Sequence, residues 1–408
     1  MIDFGDVQIF EGVTTYPAIL TLRKGDSGDG GQLRFLAVTD KAPEDIGREF
    51  ARRSTSMPRA RLGKGSWQFE DDALAALRAK ITGGRKALGE VYGAPLYGIK
   101  TGLNEAFVID RATRDRLVGA DPKSADLLKP FLRGENIKRW RIESDDLFLI
   151  NTPRGQVDIE AYPAVRDWLL RSKDALEKRA TKQGWWELQQ AQLAYQPFFS
   201  KRRFVWPDIS PEARVAWDDS SSFLDCTAFF VATDDEWPVA FLNSSLAWFF
   251  WRTLTPDVRG GFARLKAQFV SQTPLPELTP PVAAALQTLA TEATAHATKR
   301  RHIITEAGRR ILDLAPPDRR KLTRKLEAWH DLDFTAFRAE VKATFKTEIP
   351  LRERGEWEAY LSENAAEVHR LSAEIAAAER EIDAIVYRLF ELTPEEIALL
   401  ESAIAGQH

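Results

Sequence analysis

PLYGIKTGLNEAFVIDRATRDRLVGADPKSADLLKPFLRGENIKRW, residues 95–140, is the stretch around which the chain is organised. It opens on a glycine-punctuated turn (98–102), continues into an apolar run (106–109) that predicts a strand, and ends in a basic segment (133–140). Between Gly98 and Arg141, ten lysine or arginine residues stand against six acidic ones, a local charge of +4 in a chain of net charge −3. Such a patch suits a polyanion, although a run of charges is more often a solvated face.

The bulk composition limits the class of protein. A length of 408 residues predicts two or three domains. The chain is 44% hydrophobic and 29% charged, which is typical of a globular protein in water, and it has no apolar run of about 18 residues that would span a membrane. The N-terminus does not resemble a secretory signal, and Cys226, the single cysteine, excludes cysteine-rich zinc sites. We therefore expect a cytoplasmic protein.

Hydrophobic periodicity predicts mixed secondary structure up to about residue 278. Strands are predicted at 7–10, 18–22 and 33–38. A helix is predicted over 71–91, interrupted by Gly83 and Gly84, and a very apolar core helix over 241–254.

Beyond the prolines at 280 and 281 the pattern is helical. Helices are predicted at 282–312, 318–330 and 334–345, with a heptad seam over 368–389 and a capping box that starts the last helix at Thr393. Residues 299–346 carry thirteen basic and seven acidic side chains, whereas residues 353–401 carry four and thirteen. We expect the acidic final helices to pack on each other or on a partner rather than touch DNA.

Four basic clusters are candidates for DNA contact, because DNA binding needs cations for the phosphates and a few side chains that reach base edges. Surface solvation or ion pairing is the other interpretation of each cluster. The candidates are Lys100 and Asn104; Arg133, Asn136, Lys138 and Arg139; Lys201, Arg202 and Arg203; and Arg259, Arg264 and Lys266. Trp185 and Trp186 could stack on bases, although most of the twelve tryptophans are expected in the core.

No catalytic or metal site is evident in the sequence. The 98–102 turn lacks the spacing of a phosphate-binding loop, so we predict no nucleotide site there. The five histidines show no metal-ligand spacing, and no nucleophile with its base can be identified. We predict no catalytic residue and no cofactor in this chain.

The order of several motifs resembles the target recognition domain of type IIG restriction-modification enzymes and adenine-N6 DNA methyltransferases, the TaqI-like specificity domain. The motifs are GIKTGLNEAFVID (98–110), LLKPFLRGENIKRW (127–140), WWELQ (185–189), FFSKRRFVWPDIS (198–210), FLDCTAFFV (223–231), FLNSSLAWFF (241–250) and RLKAQFVSQTPLPEL (264–278). The resemblance implies a reader of duplex DNA that presents an adenine to a methyltransferase, as used in phage defence.

The resemblance also implies what surrounds these motifs. Residues 1–70 resemble the last strands of a methyltransferase domain, but the glycine-rich S-adenosylmethionine loop and the Asn-Pro-Pro-Tyr motif do not occur in the sequence. S-adenosylmethionine is therefore expected on a separate catalytic module or subunit, and we expect no methyl transfer by this chain alone.

The fold class expected is α+β. A small β-rich remnant (1–70) and a linker helix (71–94) would precede a mixed α/β recognition domain (95–278), and a helical region with a coiled-coil-like seam (279–408) would follow it. The expected partners are double-stranded DNA and a methyltransferase module, with no membrane. There are two alternatives: a helical interaction protein that binds through its heptad seam and has no role on DNA, and a degenerate recognition domain that is an inactive remnant.

Overall fold

A computed structural model describes residues 1–5, 7–11, 17–22, 31–38, 41–62, 67, 69–255, 257–258 and 261–405. The α+β class is confirmed. The chain divides into two compact units, one formed by Met1–Asp235, Leu242–Leu278 and Val386–His408, the other by Glu236–Phe241 and Thr279–Ile385.

Two four-stranded sheets of the first unit share one hydrophobic core, to which Phe131, Leu149, Val205 and Phe230 all contribute. The first core sheet has one parallel pair, Phe223–Leu224 with Leu128–Leu132, whereas the second core sheet is antiparallel throughout. In spatial order their strands are Phe223–Leu224, Leu128–Leu132, Leu147–Ile150 and Val108–Asp110, and then Ala216–Asp218, Arg203–Pro207, Ala228–Ala232 and Leu96–Tyr97.

Three further sheets lie in the described part of the first unit. The N-terminal sheet is mixed, because Ile2–Asp3 pairs in parallel with Gln32–Ala37. In spatial order its strands are Ala18–Ile19, Ile2–Asp3, Gln32–Ala37 and Thr55–Pro58. A three-stranded sheet is formed by Ile209–Ser210, Phe262–Arg264 and Asp257–Val258, and a hairpin by Ile137–Lys138 and Arg141–Ile142.

The helices of the first unit are short and lie around these sheets. They are Ile46–Arg53, Asp72–Thr82, Leu88–Tyr92, Asn104–Phe107, Arg111–Ala120, Pro163–Leu170, Lys173–Glu177, Ser245–Leu254, Ala267–Val270 and Pro394–Ala405. The capping box that was predicted at the start of the last of them is present, since the Thr393 N–H donates to the Glu396 carboxylate at 2.8 Å and the Glu396 N–H to the Thr393 hydroxyl at 3.3 Å.

Several predicted elements have other bounds. The strand predicted at 7–10 is absent, because the Val7 N–H turns back to the Phe4 carbonyl at 2.9 Å. Residues 106–107 belong to a helical turn, and strand begins only at Val108. The helix predicted over 241–254 is broken at Asn243, whose side chain pairs with both backbone groups of Val215 (3.0 and 2.8 Å) before Ser244 caps a new helix.

The second unit is built around two long helices. Among the described residues its helices are Trp237–Leu242, of which Leu242 belongs to the first unit, then Pro280–Leu312, Arg324–Glu327 and Phe334–Phe345. The helix Arg354–Leu389 follows, and its last turn from Val386 belongs to the first unit. The helix predicted over 318–330 is instead split, because Thr323 caps a new helix within it. The core of this unit includes Trp329, Phe337 and Val341.

The heptad seam is used inside this unit. Side-chain contacts join Lys299 to Glu367 (2.6 Å), Arg300 to Ser372 (3.1 Å) and His296 to Glu374 (3.4 Å), so the two long helices run antiparallel. The seam residues Val368, Leu371, Ile375, Ala378 and Ile382 are buried. Their apolar side chains are therefore covered by the chain's own fold and do not form a free docking surface. No helix in the described part of the chain is long and apolar enough to cross a membrane.

Candidate nucleic-acid interface

Three loops of the first unit meet at Asp225. Its carboxylate accepts hydrogen bonds from the Gly134 N–H (3.3 Å), from the Thr227 N–H (2.9 Å) and from the Thr227 hydroxyl (2.5 Å). The third loop is the 98–102 turn, in which the Ile99 N–H donates to the Leu224 carbonyl, next to Asp225, at 2.7 Å. Asp225 is buried, and burial raises the pKa of its carboxyl group.

Glycine is required where these loops touch. A Cβ on Gly98 would lie 2.1 Å from the Asp225 carbonyl oxygen, and a Cβ on Gly134 would lie 2.4 Å from the Thr227 carbonyl oxygen. Neither neighbour is a flexible side chain that could move aside. The two glycines stand in different motifs. They allow the loops that carry Lys100 and Arg133 to meet at the loop of Asp225 and Thr227, which we call the junction.

Asp208 extends the junction to the fourth basic cluster. Its backbone N–H donates to the Thr227 carbonyl at 2.8 Å, and its carboxylate lies 2.9 Å from Lys266 Nζ and 3.6 Å from the Arg264 guanidinium. The carboxylate is almost buried, whereas the two cations are partly exposed. Asp208 Oδ1 is buried and has no hydrogen-bond partner among the described residues. A fixed anion therefore orients two cations that still face solvent.

The first cluster lies at the same junction. Burial, and next the charge of Asp225, raise the pKa of the Cys226 thiol, and the positive charges of Lys100 and Lys266 oppose that rise. The Cys226 N–H donates to the Ile99 carbonyl at 2.9 Å, so Lys100 directly follows a residue that is bonded to the junction. Lys100 is exposed. Its N–H donates to the Gln190 carbonyl at 3.0 Å, and the Gln190 N–H donates to the Lys100 carbonyl at 2.9 Å.

Asn104 and Gln190 are the exposed amides beside Lys100. Asn104 Oδ1 accepts the Thr101 hydroxyl at 2.6 Å, which fixes its side chain beside the 98–102 turn. Gln190 was not among the predicted site residues. It directly follows the WWELQ motif (185–189), and that position was the only available signal.

The second cluster divides into surface and interior residues. Arg133 pairs with Glu135 (2.9 Å) and Asp145 (3.1 Å) and remains partly exposed, as does Lys138. Asn136 is buried, accepts the Arg133 N–H (2.7 Å) and donates to Asp145 (2.8 Å). The hydrogen bonds to Asp145, with that of Asn136 the largest cause, lower the pKa of its carboxyl group.

Arg139 points inward. Its guanidinium donates to the carbonyls of Ala213 (3.0 Å) and Asn243 (2.8 Å) and lies over the Trp140 ring. Arg139 and Asn136 are therefore engaged in contacts within the fold and are not presented to a ligand.

The third cluster is not part of the junction. Arg203 is fully buried, forms an ion pair with Asp218 at 2.6 Å and donates to the carbonyls of Phe199 and Ser222. Lys201 and Arg202 are exposed next to it. They precede the strand Arg203–Pro207, whereas Asp208 follows it, so about 17 Å of strand separates them from the junction. We leave this cluster out of the proposed interface.

The tryptophan pair forms a fixed turn. The Arg179 guanidinium donates to the carbonyls of Gly184, Trp185 and Glu187, and the Glu187 carboxylate accepts the Gly184 N–H at 2.6 Å. Both indoles are half-buried against the core in an edge-to-face pair with centroids 5.6 Å apart. They have the rigidity of a stacking platform, but their packing is also that of ordinary core residues.

The remaining predictions concern Arg259 of the fourth cluster and metal sites. Arg259 lies outside the described residues. Histidine, cysteine, aspartate and glutamate form no group of three that could hold a metal ion in the described part of the chain.

Comparison with known proteins gives two family matches. Residues 129–275 match the TaqI-like C-terminal specificity domain, and residues 281–386 match a domain of unknown function, DUF8810. The chain is 24% identical over 303 residues to the type II methyltransferase M.PaeR7I of Pseudomonas aeruginosa, and the match covers 67% of this chain and 50% of that protein. The chain thus spans about half the length of this curated relative.

A solved structure is also similar. It is that of the type IIL restriction-modification enzyme MmeI in complex with DNA, at 11% identity and a TM-score of 0.48, covering 93% of this chain and 42% of that chain. The resemblance predicted from the sequence motifs is confirmed by the family match over residues 129–275.

Proposed function

Since residues 129–275 match the TaqI-like C-terminal specificity domain family, we propose that this chain reads a short sequence of double-stranded DNA. In this proposal it presents the target adenine to a methyltransferase module, which binds S-adenosylmethionine and methylates N6. The specificity domain and the similarity to a type II methyltransferase support a role in restriction-modification. The chain's own task is recognition.

The observation that carries the proposal is the junction around Asp225, Thr227 and Asp208. It gathers cations from distant parts of the sequence: Lys100, Arg133, Arg264 and Lys266. Lysine and arginine neutralise phosphates and release counterions, and this effect supplies most of the affinity of a protein for duplex DNA. Cations on loops that are locked by glycine contacts and buried carboxylates meet the phosphate backbone in one fixed register.

Sequence reading requires side chains that reach base edges. Arginine pairs with guanine, and asparagine or glutamine with adenine, through two hydrogen bonds each. Arg264, Asn104 and Gln190 are exposed at or beside the junction and have this geometry. We assign base contacts to these three side chains and phosphate contacts to Lys100, Arg133 and Lys266.

The proposal is tested by selecting bound sequences from a random duplex library with the purified full chain. Binding of the selected duplex is then measured by fluorescence anisotropy at several salt concentrations. We expect one enriched motif and an affinity that falls steeply with salt. Lys266→Gln and Lys100→Gln should each weaken binding by about tenfold, on the scale of one charge-assisted hydrogen bond to a phosphate.

Lys201→Gln is the matched control, because it removes the same charge from an exposed lysine far from the junction. Equal loss of affinity in all three variants would refute the assignment of the junction. If the chain binds no duplex and self-associates even at high salt, DNA recognition would be refuted. That result would favour a helical protein that binds partners through its heptad seam.

A further inference from the structure

We propose that the second unit carries a separate, sequence-independent contact with the phosphates of duplex DNA, formed by the basic segment 319–325. This inference rests on the proposed function, because that function makes DNA the polyanion on which the chain acts. It concerns a surface outside the specificity domain, within the region that matches a domain of unknown function.

The charge density of the basic segment is the first observation. Residues 318–325 contain five lysine or arginine residues and one aspartate, a net charge of +4 within eight residues. Within the stretch from Gly98 to Arg141, the densest part with the same net charge is residues 129–141, which needs thirteen residues. All five cations are exposed: Arg319, Arg320, Lys321, Arg324 and Lys325.

These cations are weakly compensated by their own unit. Arg319, Arg320 and Lys325 meet acidic side chains only at 3.6, 3.5 and 3.7 Å. Lys321 and Arg324 form no ion pair with any described residue. By contrast, Lys299 approaches Glu367 to 2.6 Å in the same unit. A close pair thus holds Lys299, whereas the cations of the basic segment remain available to another anion.

The fold presents the segment in one orientation. Leu326 is fully buried in the core, and Leu322 packs on the helix Pro280–Leu312, where a Cβ on Gly308 would lie 3.3 Å from Leu322 Cδ1. The Thr323 hydroxyl donates to Glu340 at 2.9 Å and accepts the Leu326 N–H at 3.3 Å. The apolar side chains therefore anchor the segment, and the charged ones face outward.

The chemistry of this surface fits a polyelectrolyte better than a protein. Protein interfaces have an apolar or aromatic centre, and a membrane-binding surface inserts apolar side chains. Leu322 within the basic segment and Leu326 directly after it are both turned inward, and no large exposed hydrophobic residue lies within the segment. A duplex carries about one negative charge per 1.7 Å of its axis, so it offers phosphates to all five cations without any pocket.

The test compares the full chain with a variant that carries Arg319→Gln, Arg320→Gln, Lys321→Gln, Arg324→Gln and Lys325→Gln. Affinity is measured for the selected duplex and for an unrelated duplex over a range of salt concentrations. We expect both affinities to fall together, by about tenfold or more, with an unchanged ratio between them. The slope of log affinity against log salt should decrease by about 0.9 for each phosphate that the variant no longer neutralises.

A matched pair controls for net charge. Arg320→Gln with Lys321→Gln removes two charges from the basic segment, and Lys346→Gln with Arg352→Gln removes two exposed charges from the same unit outside it. Only the first pair should reduce the affinity and the slope. Thermal melts of each variant establish that it is folded.

The possible failures are distinguishable. If the wild type binds DNA while the fivefold variant keeps its affinity and slope, the inference is overturned and the proposed function stands. A loss of affinity confined to the selected duplex also overturns it, because the segment would then read sequence. If the wild type binds neither duplex, the proposed function fails and the inference fails with it.

Discussion

Lys266 Nζ lies 2.9 Å from the carboxylate of Asp208, and the acid is almost buried while the lysine is partly exposed. The pair is thus asymmetric: the anion is fixed by the fold, and the cation is presented to solvent. Arg264 shares the same anion at 3.6 Å. Asp208 therefore acts as a positioning residue that sets the direction of two candidate DNA contacts while it reduces their net charge.

Replacing Asp208 by asparagine should raise affinity and lower selectivity. Asp208→Asn removes the charge that restrains Lys266 and Arg264, so unrelated duplexes should bind about fivefold more tightly, the scale of a partly exposed ion pair. The ratio between selected and unrelated duplexes should fall, because the two cations lose their fixed orientation. Anisotropy titrations with both duplexes measure this. Glu160→Gln removes an equally charged side chain, paired with Arg166 at 2.6 Å, and should leave the ratio unchanged.

A second prediction concerns the close approach at Gly98. A Cβ there would lie 2.1 Å from the Asp225 carbonyl oxygen, so Gly98→Ala should lower the free energy of unfolding by about 3 kcal/mol, at the upper end of overpacking. Lys100 would be displaced with the loop, and DNA affinity should fall as well. Urea denaturation and anisotropy measure the two effects.

Gly119→Ala is the control for that substitution. Gly119 lies in the helix Arg111–Ala120, and a Cβ there meets nothing within 4 Å. Alanine should stabilise the protein by about 0.5–1 kcal/mol through helix propensity, with no change in DNA binding. Equal stability of the two alanine variants would show that the loops at Asp225 can separate without cost.

Local signals in the sequence predicted the helical region best. The helix predicted over 334–345 has those bounds in the structure, and the capping box at Thr393 is present, because each depends on side chains three or four residues apart. The strand predicted over 106–109 was partly wrong, because the conformation of its first two residues does not depend on local side chains alone. A distant side chain intervenes there, since Trp168 Nε1 donates to the Ala106 carbonyl at 2.9 Å.

The composition of the candidate site was only half predictable. Lys100, Arg133, Arg264 and Lys266 carry charge in basic motifs, which the sequence shows. These cations are joined by Asp225, Thr227 and Asp208. The hydrogen bonds concerned connect residues far apart in the sequence, Gly134 to Asp225 and Thr227, and Asp208 to Thr227, and no local pattern encodes such pairing.

The basic triplet 201–203 is a further example of that limit. Its three residues look equivalent in the sequence, yet strand register places Arg203 opposite Asp218 and turns its side chain into the core.

Arg203 should therefore matter for stability. Arg203→Leu leaves the Asp218 carboxylate buried without its partner, which costs about 3–5 kcal/mol. Arg203→Leu with Asp218→Leu should recover much of that loss, because no uncompensated charge remains. Lys201→Leu, on the surface two residues away, should change the free energy of unfolding by less than about 0.5 kcal/mol. Denaturant titration of the four proteins decides this, and an equal loss of stability from Lys201→Leu would contradict the structural role of Arg203.

The last prediction concerns the pH dependence that follows from Asp225. Burial raises the pKa of its carboxyl group in the folded state, so the folded protein holds this proton more tightly than the unfolded chain does. The resulting stabilisation is present below the pKa of the unfolded chain and is lost as pH rises through the folded pKa. Asp225→Asn cannot lose a proton and keeps a side-chain oxygen for the Gly134 and Thr227 N–H groups. Its free energy of unfolding should therefore rise relative to that of the wild type across this interval.

Asp146 provides a control of opposite sign. A hydrogen bond from Arg111 lowers the pKa of the Asp146 carboxyl group, so its stabilisation is present above the pKa of the unfolded chain and is lost as pH falls through the folded pKa. Asp146→Asn should accordingly lose stability relative to the wild type as pH rises. Urea denaturation of the three proteins between about pH 3 and 8 gives both differences. If the two differences had the same sign, the carboxylate of Asp225 would not be the buried, destabilised anion on which the junction is built.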